Sequence, residues 1–227
     1  MKKQFIIILA GLLIGTQLNA QCTFESLFPL DFGAGKHLIQ NRYGANPIFI
    51  PAQDTIRGSV FDHGLDYFWT VRNFDIEIFS YTNVAHHPCF GSGDIVLNCI
   101  ANDSGLVAYN YQVTYADTNK PEFMAVVDSL KKMMTKKFTY TGMVETKTSA
   151  IDETGAELSG DGVSVYFNDQ PVVSSNLTYP QFVIRAGYLE KKPKSSDNVY
   201  LNQASKIQYY RIEIVFKRRQ PDWKTKN

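Results

Sequence analysis

The sequence predicts an α+β protein: an antiparallel β-sheet packed against one long and one short helix, with room for two lobes. Three observations carry this expectation. Segments rich in aromatic and β-branched residues alternate apolar and polar side chains with period two, as strands with one buried and one wet face do. One stretch, residues 121–138, switches to spacings of three and four. A shorter stretch near the N-terminus is bracketed by glycines and has helical composition. Aromatic residues make up 13% of the chain and fall mainly in the alternating segments, which favours sheet over helix.

The chain opens with MKKQFIIILAGLLIGTQLNA, the layout of a bacterial export leader. Lys2 and Lys3 supply the positive start, Phe5 to Ile14 the apolar run, and Ala20 the small residue at the cleavage point. The run is about ten residues, half of the roughly 20 that a permanent membrane helix needs. Residues 1–20 are therefore expected to be a signal peptide cleaved after Ala20, with no stable membrane span afterwards. Gln21 precedes Cys22 where a lipoprotein leader places a small residue, so lipidation is disfavoured. Cleavage removes two of the 23 basic residues and none of the 22 acidic ones, leaving about 207 residues with a net charge of −1. That balance gives no support for nucleic-acid binding, which needs a clustered basic surface.

GKHLIQNRYG predicts the short helix, with Leu38 and Ile39 as apolar contacts, Gly44 as a left-handed stop and Pro47 preventing continuation. Strands follow. Phe74, Ile76 and Ile78 share a face against Asp75 and Glu77; Ile95, Leu97 and Cys99 share another; Tyr109, Tyr111, Val113 and Tyr115 alternate with polar residues. Asn102-Asp103-Ser104-Gly105 between the last two is a hairpin turn, because Gly105 tolerates positive φ. PEFMAVVDSLKKMMTKKF sets Phe123, Val126, Val127, Leu130, Met133 and Met134 on one stripe, with Pro121 in the first turn, Asn119 or Thr118 as cap and lysines at the C-terminal end. Residues 139–161 are polar and form a connector or weak hairpin; 162–218 hold the closing strands, through Val163, Val165 and Phe167, QFVIRAGYL, and Tyr210 to Phe216. The expected organisation is thus 21–138 as an α+β lobe, 139–161 as connector, 162–218 as a β-rich lobe completing the sheet, and 219–227 as a frayed tail.

FGAGKHLIQNRYGANP resembles the opening of SmpA/BamE-type (BLIP-like) small envelope proteins. Gly33 and Gly44 bracket the helix, Ile39 fills its apolar position and Pro47 follows, one residue late; Gly35 stands where a capping hydroxyl is usual. The likeness is best over residues 30–48 and extends loosely through 94–115. It implies a two-helix, antiparallel-sheet scaffold for protein–protein contact in the cell envelope, with no catalytic residues to carry over.

HHPCFGSGDIVLNC is the stretch in which histidines and cysteines come together. His86, His87, Cys89 and Cys99 offer zinc-type ligands, but adjacent residues of an extended chain point to opposite faces and no Cys-x-x-Cys pair is present. Cys89 as a nucleophile needs an imidazole turned back on it. In an exported chain a disulfide is the default, and Cys89–Cys99, closing a loop through Gly91-Ser92-Gly93, is the favoured assignment, stabilising by roughly 2–3 kcal/mol; the rival joins Cys22 to Cys89 or Cys99. His37 and His63 stand apart, and no Gly-x-Ser-x-Gly elbow accompanies Asp62-His63. Asp152, Glu153, Glu157 and Asp161 cluster in the connector, without the ligand order of a standard calcium loop. The sequence therefore predicts an exported envelope protein, periplasmic or secreted, that is a non-enzymatic interaction scaffold using no cofactor, with an envelope protein as partner. The alternatives are a soluble carbohydrate- or lipid-binding module and a small hydrolase using His86, His87 and Cys89.

Overall fold

The computed structural model describes residues 22–45, 48–51, 56–58, 76–83, 87–151, 157–168, 181–191 and 206–218. The leader, Pro47, Asp62, His63, Phe74, His86, Asp152, Glu153 and the tail lie outside these residues. The architecture is α+β: a nine-stranded antiparallel sheet with helices laid on one face. Its strands are β1 (Phe49–Pro51), β2 (Ile56–Gly58), β3 (Ile76–Asn83), β4 (Asp94–Asn102), β5 (Gly105–Ala116), β6 (Thr139–Ile151), β7 (Glu157–Asn168), β8 (Phe182–Lys191) and β9 (Lys206–Lys217). The spatial order is β1-β3-β4-β5-β9-β8-β7-β6, with β2 also on β3. Two meanders, β3–β5 and β6–β9, are fused where β5 pairs with β9 from Ala108↔Lys217 to Ala116↔Tyr209.

Through that pairing the strands within 162–218 continue the sheet of β3–β5, with β9 lying between β5 and β8. Of the connector or weak hairpin expected over residues 139–161, the hairpin forms: β6 pairs with β7 from Thr139↔Asn168 to Ile151↔Glu157. Its polarity reflects position. β6 closes the order at one end, so several of its side chains meet water, and Thr139, Thr141 and Thr146 supply β-branched character without apolarity.

Three helical pieces cover the inner face. α1 (Phe24–Leu27) carries a capping box, with Thr23 and Ser26 bonding each other's backbone N–H; its shortness hid it from periodicity. α2 (Lys36–Ile39) runs into a π-turn, Gln40–Gly44, as the short helix predicted. Gly44 is not its left-handed stop: among the described residues the positive-φ glycines are Gly33, Gly91 and Gly105. α3 (Lys120–Lys137) is the long helix, burying Phe123, Val126, Val127, Leu130 and Met134. Pro121 is in its first turn, and Asn119 occupies the cap position without a side-chain cap bond. Phe123 packs on Tyr115 and Tyr210, ring centroids 6.0 and 5.0 Å away, and Phe138 stacks on Phe182 at 5.9 Å. α3 therefore crosses β5, β9 and β8 and leaves β6 and β7 beyond it.

The inner face is built from registered rows. One row runs Phe79, Cys99, Tyr109, Phe216, Phe182, Phe167, Tyr140 across seven strands. All but the last are buried. β3 departs from expectation: Phe79 and Tyr81 face the core, while Ile78 joins Ile100 and Ala108 in a small cluster on the other face. Glu77 then lies on the helix side, where it meets Lys36 of α2 at 3.2 Å.

The turn between β4 and β5 ties this sheet to the N-terminal segment. Gly105 has φ +91°, and Leu106 beside it exchanges backbone bonds with Gly33 and Ala34 at 2.8 and 2.9 Å. A Cβ on Gly105 would press on the Ala34 carbonyl oxygen at 2.6 Å, so close approach as well as φ demands glycine.

Candidate functional site

The loop His87–Gly93 is a compact turn held from three sides. Phe90 and Gly91 donate backbone bonds to the His87 carbonyl at 2.9 and 3.0 Å, and Gly91 takes φ +57° to complete the bend. Glu122 in the first turn of α3 accepts the Ser92 N–H at 2.8 Å and the Ser92 hydroxyl. Tyr115 donates its hydroxyl to the Phe90 carbonyl at 3.0 Å. The third tie is covalent. Cys89 is bonded to Cys22, with Cα atoms 4.7 Å apart, and Cys99 is the free thiol. The Cys89–Cys99 assignment is thereby corrected. Gly91-Ser92-Gly93 does turn, but it turns onto Glu122 and leaves Cys89 facing the N-terminal segment.

This geometry removes the chemistry the sequence allowed here. With its sulfur in a disulfide, Cys89 has no thiol to act as nucleophile or thiolate ligand. His87 is buried between Phe49 and Phe90, its ring 5.9 and 5.2 Å from theirs. Burial pushes its pKa down to about 4, so at neutral pH the imidazole is uncharged. Its Nδ1 accepts the Cys89 N–H at 3.2 Å, which puts the proton on Nε2. Cys99 sits in the middle of the inner face, fully buried, and burial raises its thiol pKa. Asp161 stands on β7, opposite Lys147 of β6, pairs with it, and accepts the Tyr188 hydroxyl at 3.1 Å. Among the described residues, no group of three or more His, Cys, Asp or Glu side chains could hold a metal ion.

The polar atoms at the centre of the inner face work as fasteners. Tyr111 donates to the Leu27 carbonyl at 2.5 Å, and Tyr109 donates to the Leu30 carbonyl at 2.8 Å while accepting the Leu30 N–H at 3.0 Å. Tyr81 reaches the Ile39 carbonyl at 3.5 Å. Alternate tyrosines on β5, with one on β3, therefore hold the backbone of residues 27–39 against the sheet. Burial raises all their pKa values, Tyr81 to about 12. Tyr43 is the exception: its hydroxyl is buried near those of Tyr109 and Tyr111 without a hydrogen bond of good geometry.

The inner face closes over β3, β4, β5, β9 and β8 but not at β6. There Tyr140, Met143 and Val144 are 52%, 56% and 51% exposed. Tyr140 and Met143 end the two innermost rows, beside buried Phe167 and Val165, and Val144 lies on the opposite face. Sequence reasoning missed them because the stretch was expected to be a polar connector or weak hairpin; the period-two mixture in TYTGMVETK was the available signal. Among the described residues, no helix is long and apolar enough to cross a membrane. No family model matches the chain, and searches of curated proteins and of solved structures return no match.

Proposed function

We propose that this chain is an exported, non-enzymatic interaction scaffold that presents the β6–β7 end of its sheet to a protein partner in the cell envelope. The observation that carries the reading is the pair Tyr140 and Met143, half-exposed together on the inner face of a terminal strand, with Val144 half-exposed on that strand's other face. Exposed apolar groups gathered in one place mark contact surfaces more often than groups scattered singly. Export is supported by the leader pattern and by the Cys22–Cys89 disulfide, which suits an oxidising compartment. The resemblance of residues 30–48 to SmpA/BamE-type proteins points to the same kind of role.

Affinity capture from envelope extract tests this. The mature protein should retain a protein that a Met143→Glu variant of equal thermal stability does not. Retention unaffected by Met143→Glu, or binding of a soluble glycan or lipid in place of any protein, overturns the reading.

A further inference from the structure

We propose that the partner of β6 is a second copy of this chain, paired edge to edge and antiparallel about a two-fold axis through Thr146; this deepens the scaffold reading above and rests on it. The two ends of the sheet are unlike. At one end, among the described residues, the outer side of β3 is flanked only by β1 and β2, three residues each, and short outer strands are a common protection against unwanted pairing. At the other end β6 is 13 residues long, and among the described residues no strand pairs with its outer edge. It contains no proline, its charged residues are the oppositely charged Glu145 and Lys147, and its described exposed side chains include the apolar trio Tyr140, Met143 and Val144.

The charges on β6 select the occupant. Glu145 and Lys147 lie two residues apart, hence on one face, with Thr146 between them. In an antiparallel pair centred on Thr146, Glu145 stands directly opposite Lys147 of the second copy, and Lys147 opposite its Glu145. Opposite charges directly across a strand pair stabilise it. Lys147 is already opposite Asp161 within the chain. The row across the interface therefore alternates in sign: Asp161, Lys147, then Glu145 of the second copy. The centre of the axis offers a second signal. The Thr146 hydroxyl oxygen is buried and has no hydrogen-bond partner. The two-fold puts two such hydroxyls opposite each other, and a threonine pair across strands can satisfy both. The same register pairs residues 141–151 with 151–141 of the second copy and brings Met143 and Val144 alongside a strand. An isologous two-fold contact of this kind closes after two subunits, so it gives a dimer and not a fibre.

The test is sedimentation of the purified mature protein, combined with register-specific cross-linking. The wild type should sediment as a dimer at micromolar concentration. Glu145→Lys alone and Lys147→Glu alone should each weaken self-association at least tenfold, since each sets like charges across the axis. An equimolar mixture of the two variants should restore a dimer containing one of each. Under mild oxidation Thr146→Cys should form a covalent dimer, because directly opposed strand residues lie within disulfide range. Val144→Cys should not, because the register keeps the two copies of residue 144 apart. A wild type that stays monomeric at about 100 μM, or equal cross-linking from both cysteine variants, overturns the proposal. A monomer that still captures a different envelope protein through Met143 overturns this inference and leaves the scaffold reading standing.

Discussion

Replacing both Cys22 and Cys89 with serine is the perturbation whose outcome the fold determines most directly. The two residues are 67 apart in sequence. In the chain-entropy relation, closing a loop of that length lowers the entropy of the unfolded chain enough to stabilise the fold by about 4 kcal/mol, against the roughly 2–3 kcal/mol expected for the ten-residue loop of a Cys89–Cys99 bond. Both positions remain filled by a small polar residue, so loss of packing adds little. With a urea m-value of about 2–3 kcal/mol/M, the unfolding midpoint should fall by roughly 1.5–2 M. Thiol counting supplies an independent check. The native protein should show no reactive thiol, because Cys99 is fully buried, and one after denaturation. A non-reducing digest should join the Cys22 peptide to the Cys89 peptide. A Cys89–Cys99 linkage, or a midpoint shift corresponding to less than about 1 kcal/mol, would refute the reasoning.

Other substitutions probe the fasteners and the buried imidazole. Tyr111→Phe leaves the Leu27 carbonyl without its donor and should cost about 1–2 kcal/mol in urea unfolding, whereas Tyr43→Phe removes a hydroxyl with no good partner and should be neutral or slightly stabilising. His87 binds its proton more weakly in the fold, with a pKa of about 4 against 6.5, so the unfolded chain takes up the proton first as pH falls. Stability should therefore decline from pH 6.5 towards pH 4 by up to about 1.4 kcal/mol per unit, and His87→Asn should flatten that stretch of the profile. Gly105→Ala should lower the thermal midpoint by several degrees, since the new Cβ meets the Ala34 carbonyl and φ is +91°; an unchanged midpoint would contradict the close approach of residues 33–34 to β5.

The parts legible in the sequence were those whose pattern is local. Tyr109, Tyr111, Val113 and Tyr115 alternate within one strand, and all four are buried. The stripe from Phe123 to Met134 repeats within one helix and faces the sheet. Gly105 declared the β4–β5 turn because one residue carries the requirement. What stayed hidden depends on partners distant in sequence. Ile78 looks like a core residue on its own strand, yet register with β4 turns Phe79 and Tyr81 inward. Cys89 has a cysteine ten residues away and bonds to one 67 away, because the choice is made by Glu122 and Tyr115 gripping the intervening loop. The β6 strand looked like a linker because a strand with neighbours on one side only can be polar and still be a strand.

The same long-range arrangement concentrates exposed apolar surface on β6. Among the described residues, the helical cover of the sheet stops short of β6. The N-terminal segment lies over β3–β5, fastened by Tyr81, Tyr109 and Tyr111, and reaches Phe216 of β9 and Phe182 of β8 through Phe28, while α3 lies over β5, β9 and β8. α3 spans 18 residues, about 27 Å at 1.5 Å per residue. Eight strands spaced about 4.8 Å apart are wider than that, and the helix has to start at β5 and deliver the chain to β6. Its C-terminal end stops over Phe182, and Phe138 is the last residue before β6 begins. Lengthening α3 to cover Met143 would displace β6 from the sheet, because the strand starts where the helix ends. The uncovered end is thus a consequence of the connection itself, and a partner strand at β6 extends the sheet without requiring any change in that connection.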